Sequence, residues 1–173
     1  MFAGSALTAF AYPADSVGMF GALAEAAPGD VLVVACDGFA GTAVIGDLAA
    51  GMMKNKGCAA FVTDGLARDR AGILASGLPV FAAGISPNSP ARNGPGVVGL
   101  PVNLGGVRVK PGDIIVGDAD AVVVVPLERA AAVLRALEDV RANERKAVER
   151  VRSGATMSAA MEPILAAARI IQG

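Results

Sequence analysis

Three short apolar runs, set between helical patterns, constrain this chain more than any other feature. Val31–Cys36 is continuously apolar and rich in β-branched residues, as expected of a strand covered on both faces. Cys58–Thr63 and Pro79–Ala83 read as two more strands. A helix is predicted over Ser16–Ala27, stopped by Pro28, Gly29 and Asp30. Asp37–Gly46 reads as a Gly-containing loop. Asp47 then opens a helical stretch, Leu48–Lys56, ended by Gly57. Asp64–Ala67 reads as a turn, and Asp69 is placed to cap a helix over Arg70–Ser76, again ended by a glycine. This β-loop-α-β-loop-α-β order implies parallel strands joined by right-handed crossovers.

The pattern changes at Gly84. Residues 84–106 are rich in proline and glycine and read as loop. Short strands follow at Val107–Val109, Asp113–Val116 and Ala121–Val125, and the tight turns between them suit antiparallel pairing. The expected fold class is therefore α/β, with mixed parallel and antiparallel sheets plus a long C-terminal helix from Leu127 to about Arg152. A second, Ala-rich helix is predicted after Pro163. Twelve of the 31 charged side chains fall in residues 128–152. That shift marks residues 1–126 as an α/β body and 127–173 as a helical tail of the same domain. The long helix has an apolar stripe at Ala130, Val133, Leu137, Val140, Ala147 and Val151, whose spacing predicts one buried face. Glu144 falls on that stripe, either reaching solvent or aimed into a subunit interface.

Mean hydropathy is high, +0.55. The uncharged opening, Met1–Ala14, is nevertheless shorter than the roughly 20 apolar residues that span a bilayer. It contains Pro13 and lacks the basic start of a signal peptide, so a soluble, cytoplasmic protein without membrane contact is expected. Net charge is −1, which gives no basis for a nucleic-acid surface. The chain has no histidine, which excludes Ser-His-Asp and Cys-His catalysis, His-ligated zinc and a histidine base. Cys36 and Cys58 lie in apolar runs and read as buried, reduced thiols.

Any chemistry must therefore come from carboxylates, Arg, Lys, backbone amides or a metal held mainly by oxygen. Asp47 and Asp69 occupy equivalent places, each at a loop-to-helix junction on the edge where α/β folds bind ligands. Arg68 adjoins Asp69, and the amides of Leu48 and Ala49 lie in a first helical turn where an anion could be held. On pattern alone, ordinary capping is the commoner explanation of an Asp at either junction. Asp37, Asp64, Asp113, Asp118 and Asp120 sit at Gly-containing turns and read as structural. Gly38, Gly41 and Gly46 lack dinucleotide-binding spacing, and no G-K-[ST] motif occurs. Kinases, NAD enzymes and typical S-adenosylmethionine-dependent methyltransferases are thereby disfavoured. Lys54, Lys56, Lys110 and Lys146 all read as exposed, so a Schiff-base lysine is not indicated.

Gly46-Asp47-Leu48-Ala49, twenty intervening residues after Asp47, and then Arg68-Asp69 form a D-x20-R-D pattern. It resembles the signature of class II pyruvate aldolases of the 4-hydroxy-4-methyl-2-oxoglutarate aldolase and RraA-like family. The resemblance runs from about Phe2 to Gly154 and includes Pro28–Val34, Asp64-Gly65, Gly77–Ala82, Pro101-Val102, Gly105–Val107 and Pro111–Asp113. It implies a swivelling β/β/α domain, assembled as a homotrimer or hexamer with sites between subunits. It also implies that Asp69 ligates Mg²⁺ or Mn²⁺, that Asp47 holds metal-bound water and that Arg68 binds substrate. Gly46 and the amides of Leu48 and Ala49 would grip the substrate carboxylate. The expected activity is cleavage of a small 2-oxo acid to pyruvate, or oxaloacetate decarboxylation, through one pyruvate enolate. Regulators that bind RNase E or a helicase share the fold but lose the acidic residue after the arginine, which is Asp69 here. The resemblance begins near the family's G-x-A-x-T segment, here Gly4–Thr8, so the family's usual N-terminal helix and strand are expected to be lacking. Its C-terminal extension is shorter here, and Glu144 stands where the extension's carboxylate is expected.

Overall fold

The computed structural model describes residues 1–167. They form two compact units, Met1–Ala130 and a second beginning at Ala131. In chain order the first unit holds β1 (Phe2–Ala11), α1 (Val17–Glu25), β2 (Asp30–Ala35), β3 (Ala43–Ile45), α2 (Asp47–Asn55), β4 (Ala60–Thr63), β5 (Leu66–Ala67) and α3 (Arg70–Ser76). Then come β6 (Val80–Phe81), β7 (Gly84–Ile85), β8 (Gly96–Val98), β9 (Val102–Leu104), β10 (Val107–Val109), β11 (Ile114–Gly117) and β12 (Val122–Val125). A 3₁₀ turn at Leu127–Arg129 leads into α4 (Ala130–Arg152), which α5 (Met161–Ala167) follows.

The main sheet has the order β12-β11-β1-β2-β4-β6, with β8 paired to the end of β1. β1, β2, β4 and β6 run parallel, as the alternation of apolar runs and helices requires. The continuous apolar character of β2 has a direct structural cause. Leu32 and Val34 face one core with Phe61 and the α1–α3 residues Met19, Leu23, Met53 and Ile73. Val31 and Val33 face the opposite core with Val62, Val102, Val109 and Ile115. Each fully buried side chain of this size contributes about 1.5–3 kcal/mol relative to exposure.

Several expectations are corrected. The uncharged opening is the central strand β1, bonded to β2, β8 and β11. The stretch read as loop over residues 84–106 holds β7, β8 and β9. β10 pairs with β9 and not with β11, because Gly105 and Gly106, at φ 57° and 81°, close a two-residue hairpin between Leu104 and Val107. β11 and β12 do form the expected antiparallel pair. Most important for function, the loop before Asp47 and the turn before Arg68 contain β3 and β5. These pair in parallel with each other and with β7 to make a separate three-stranded sheet.

In the second unit the helical spacing is present but the expected burial is not. No residue of α4 is buried, and Leu134, Val140 and Val151 are exposed. The described residues of that unit add only the seven-residue α5, too little to cover a 23-residue helix. Glu144 is exposed as well. α5 begins at Met161, ahead of the predicted start, and takes Pro163 into its first turn, where the missing N–H costs nothing. The rest of the predicted second helix lies outside the described residues. No helix among the described residues is long and apolar enough to cross a membrane.

Candidate active site

The β3–β5–β7 sheet builds the site. Ile45 and Ala67 are register partners in adjacent parallel strands, so the next residues, Gly46 and Arg68, emerge side by side. The Arg68 N–H donates to the Ile45 carbonyl at 3.0 Å. One residue further, each strand delivers an aspartate to the start of a helix: Asp47 to α2 and Asp69 to α3. The sheet edge shared by the two junctions thus comes from strands too short for a periodic signature.

The packing between these junctions is reciprocal. A methyl group on Gly46 would lie 2.7 Å from Asp69 Oδ2 and 2.9 Å from Arg68 Nε. On Gly72, within α3, it would lie 2.6 Å from both Cβ and Oδ2 of Asp47. Each aspartate is therefore seated against a glycine of the other segment. Arg68 Nε pairs with Asp69 Oδ2 at 3.2 Å, and the same guanidinium donates to Ser89 Oγ through Nη1. Arg68 is thereby oriented from two sides.

The geometry settles the capping question for Asp69. It occupies the position before α3 in a left-handed conformation, φ 56° and ψ 42°, and its side chain makes no capping hydrogen bond. Asp47 is already inside the first turn of α2, behind Gly46 at the cap position. Its Oδ1 accepts from the Leu48 N–H at 2.7 Å. This corrects the reading of the Leu48 amide as open to a ligand, because the neighbouring carboxylate already occupies it. The Ala49 amide precedes the first backbone bond of α2, which runs from the Ala50 N–H to the Gly46 carbonyl.

A cleft of about 120 Å³ opens beside these groups, lined by Gly46, Asp47, Ala49, Arg68, Pro90 and Arg92 among others. Asp69 does not line it and meets it through the pair with Arg68. No cluster of three or more Asp, Glu, Cys or His side chains able to hold a metal occurs among the described residues. A donor set of one or two carboxylates suits a hard cation that keeps most of its water, so Asp69 and Asp47 are the side chains of this site that could hold one. Gly72, Ser89 and Arg92 escaped the sequence reading. A glycine inside a seven-residue helix was the available signal for Gly72, whereas a Pro-rich loop gives none for Ser89 or Arg92.

The remaining polar groups behave structurally. Asp64 accepts from the amides of Cys36 and Gly38, and Asp113 from those of Lys110 and Leu127. Cys36 and Cys58 are buried and free. Burial, reinforced by the nearby Asp64 charge, pushes the Cys36 thiol up to about 12, and burial raises Cys58 too.

The molecule is thus a layered α/β body carrying Asp47, Arg68 and Asp69 on adjacent strand ends. Residues 1–124 match the RraA-like family, described as Aldolase/RraA, and the chain belongs to that family. It is 40% identical over 123 residues to the "Putative 4-hydroxy-4-methyl-2-oxoglutarate aldolase" of Halalkalibacterium halodurans, covering 71% of this chain and 59% of that protein. The Streptomyces coelicolor protein RraAS2, an unusual member of the RNase ES inhibitor RraA family, aligns with TM-score 0.77 and 34% identity over 86% of this chain and 78% of its own. Geobacillus kaustophilus S-adenosylmethionine:2-dimethylmenaquinone methyltransferase aligns with TM-score 0.69 and 35% identity over 72% of this chain and 77% of its own. The chain spans less than two thirds of the length of the curated relatives it matches.

Proposed function

We propose that the protein is a divalent-metal-dependent lyase acting on small 2-oxo acids. It would release pyruvate by retro-aldol cleavage of 4-hydroxy-4-methyl-2-oxoglutarate-type substrates, by decarboxylation of oxaloacetate, or by both. The observation that carries this reading is the placement of Asp47, Arg68 and Asp69 at the neighbouring ends of β3 and β5. In each reaction the C3–C4 bond breaks and its electron pair stays on the pyruvate fragment as an enolate, which takes a proton from water at C3 to give pyruvate, so one site would serve both.

Asp69 would hold the cation directly and Asp47 through water. When bound, Mg²⁺ or Mn²⁺ supplies positive charge that stabilises the negative charge developing on the 2-keto oxygen. Arg68 binds the 2-oxo acid with a charge that is permanent near neutral pH. Its contacts to Asp69 and Ser89 fix the guanidinium before substrate arrives, which lowers the ordering cost of binding. The Ala49 amide, and the helix start it belongs to, favour the substrate carboxylate. Asp47 supplies the proton-accepting charge that the retro-aldol step needs at the C4 hydroxyl and that decarboxylation does not.

A cytoplasmic homotrimer or hexamer is proposed as the working form. Leu48 and Met52 line the cleft and are 74% and 50% exposed, which supports contact with another subunit there. The likeness to an RNase ES inhibitor family supports a second reading, a non-catalytic regulator of an RNase or helicase, against which Asp69 speaks. Pyruvate release from oxaloacetate and 4-hydroxy-4-methyl-2-oxoglutarate, with Mg²⁺ or Mn²⁺, tests the proposal. Turnover above the metal-only background is expected with at least one substrate; none with either would overturn it.

A further inference from the structure

The segment between β7 and β8 is fastened at both ends. At its start, Ser86 donates its N–H to the Ala67 carbonyl at 2.9 Å, and the Asn88 carbonyl accepts from the Ala43 N–H at 3.0 Å. Those bonds tie it to the sheet that builds the site. At its far end it is tied to the residues just before α1. The Ala91 N–H donates to the Ala14 carbonyl at 2.7 Å, and the Ala91 carbonyl accepts from the Ser16 N–H at 3.1 Å and from Ser16 Oγ at 3.2 Å.

Asp15 completes that second anchor. It is buried, 8% exposed, and its carboxylate accepts from backbone amides. Oδ1 accepts from the Val17 N–H at 2.7 Å, at the start of α1. Oδ2 accepts from the N–H groups of Asn93 and Gly94 at 2.7 and 3.0 Å. Ala14 beside it is held at φ 62°, a left-handed conformation that alanine adopts only when its surroundings impose it. Between the two anchors lie Ser89, which accepts from Arg68, and Pro90, which lines the cleft, and Arg92, which also lines it, stands within the second anchor. The Arg92 guanidinium rests over the Phe20 ring of α1, 5.7 Å from its centroid.

We propose that Asp15 is a positioning residue for the active site: its buried carboxylate joins the start of α1 to the 93–94 backbone and so fixes the loop from which Ser89 orients Arg68 and Arg92 faces the cleft. The inference rests on the lyase reading for its catalytic consequence, but not for the mechanical link itself. Two variants separate the roles of the two oxygens. Asp15→Ser keeps an acceptor within reach of the Val17 N–H but is too short to serve Asn93 and Gly94. Asp15→Ala loses both.

Amide hydrogen exchange and steady-state kinetics on the full chain test this together. Both variants are expected to lose protection at residues 93–94 by at least about tenfold, as befits amides that lose a charged acceptor, while α2 and α3 keep theirs. The KM for oxaloacetate is expected to rise about tenfold in both, with kcat within about twofold of the parent, because the loop orders a binding group. Protection at 93–94 unchanged in both variants would overturn the positioning role. So would a wild-type KM in Asp15→Ser beside a raised one in Asp15→Ala, which would reduce Asp15 to a helix-start acceptor. Absence of turnover in the parent protein overturns the lyase reading alone, and exchange at 93–94 still decides the mechanical link.

Discussion

Gly46→Ala isolates the packing that seats Arg68 and Asp69. The Gly46 backbone is extended, φ −134° and ψ −177°, and open to any residue, so alanine brings no conformational cost. The cost is spatial. The new methyl would stand 2.7 Å from Asp69 Oδ2, 2.9 Å from Arg68 Nε and 3.2 Å from Arg68 Cγ. Ordinary contact begins near 3.4 Å, so the carboxylate must retreat by about 0.7 Å. Overpacking of this kind destabilises by about 1–3 kcal/mol. A displacement approaching 1 Å at a reacting centre costs on the order of 10²-fold in rate. Gly51→Ala is the control: it lies within α2, an added Cβ meets nothing within 4 Å, and alanine there should stabilise by about 0.5–1 kcal/mol. Urea unfolding and Mg²⁺-dependent oxaloacetate decarboxylation would be measured on both variants. A Gly46→Ala protein that folds and keeps the parent kcat/KM would refute the claim that this contact sets the geometry of the cluster.

Gly72→Ala drives a methyl to within 2.6 Å of Asp47 Cβ and Oδ2, so kcat/KM should fall about tenfold or more; normal kinetics would mean Asp47 is free to move. Arg68→Lys cannot contact both Asp69 and Ser89, and the KM for a 2-oxo acid should rise about tenfold or more in initial-rate assays. Cys36, raised to about 12, and Cys58, also raised, should resist iodoacetamide at pH 8 in the native protein and react on unfolding, because only the thiolate attacks. Stoichiometric native labelling, read by mass spectrometry, would contradict their burial. The Val17, Asn93 and Gly94 amides hold the Asp15 carboxyl below its ordinary 3.8 against the opposing effect of burial. The resulting stability is complete above about pH 4 and is lost as pH falls through the lower folded-state value. Asp15→Ser should therefore flatten the acid limb of a thermal-unfolding series below pH 4, and an unchanged limb would count against these bonds.

The parts of the fold that follow from strong local patterns were legible in the sequence. β2 and β4 announce themselves by apolar runs, α1 by its spacing and the Pro28-Gly29 stop, and α2 and α3 by spacing and by Gly57 and Gly77 at their ends. β1 carries no continuous apolar run, because Gly4, Ser5 and Thr8 interrupt it, and two of its three partner strands, β8 and β11, lie far away in sequence. β3, β5 and β7, of two or three residues each, are defined by their pairing and not by periodicity. α4 shows the opposite failure: the stripe at Val133, Leu137 and Val140 is real, yet the described residues of its unit cannot bury it. At the site, Asp47, Arg68 and Asp69 were visible through type and spacing. The glycines that seat them, and the Asp15–Ser89–Arg92 loop system, depend on three-dimensional contacts that no spacing rule encodes.

Asp69 is proposed to serve a metal-dependent lyase site and not a helix cap. The most direct test is a side-by-side comparison of the parent protein and Asp69→Ala, measuring Mn²⁺-dependent pyruvate formation from oxaloacetate alongside thermal unfolding. Turnover above the Mn²⁺-only background is expected in the parent, with its loss in Asp69→Ala. The melting temperature should fall only modestly: alanine replaces aspartate in a left-handed conformation at φ 56°, which costs about 1–2 kcal/mol, while no capping bond is lost and the pair with Arg68 is partly exposed. Equal turnover by the two proteins would contradict that role.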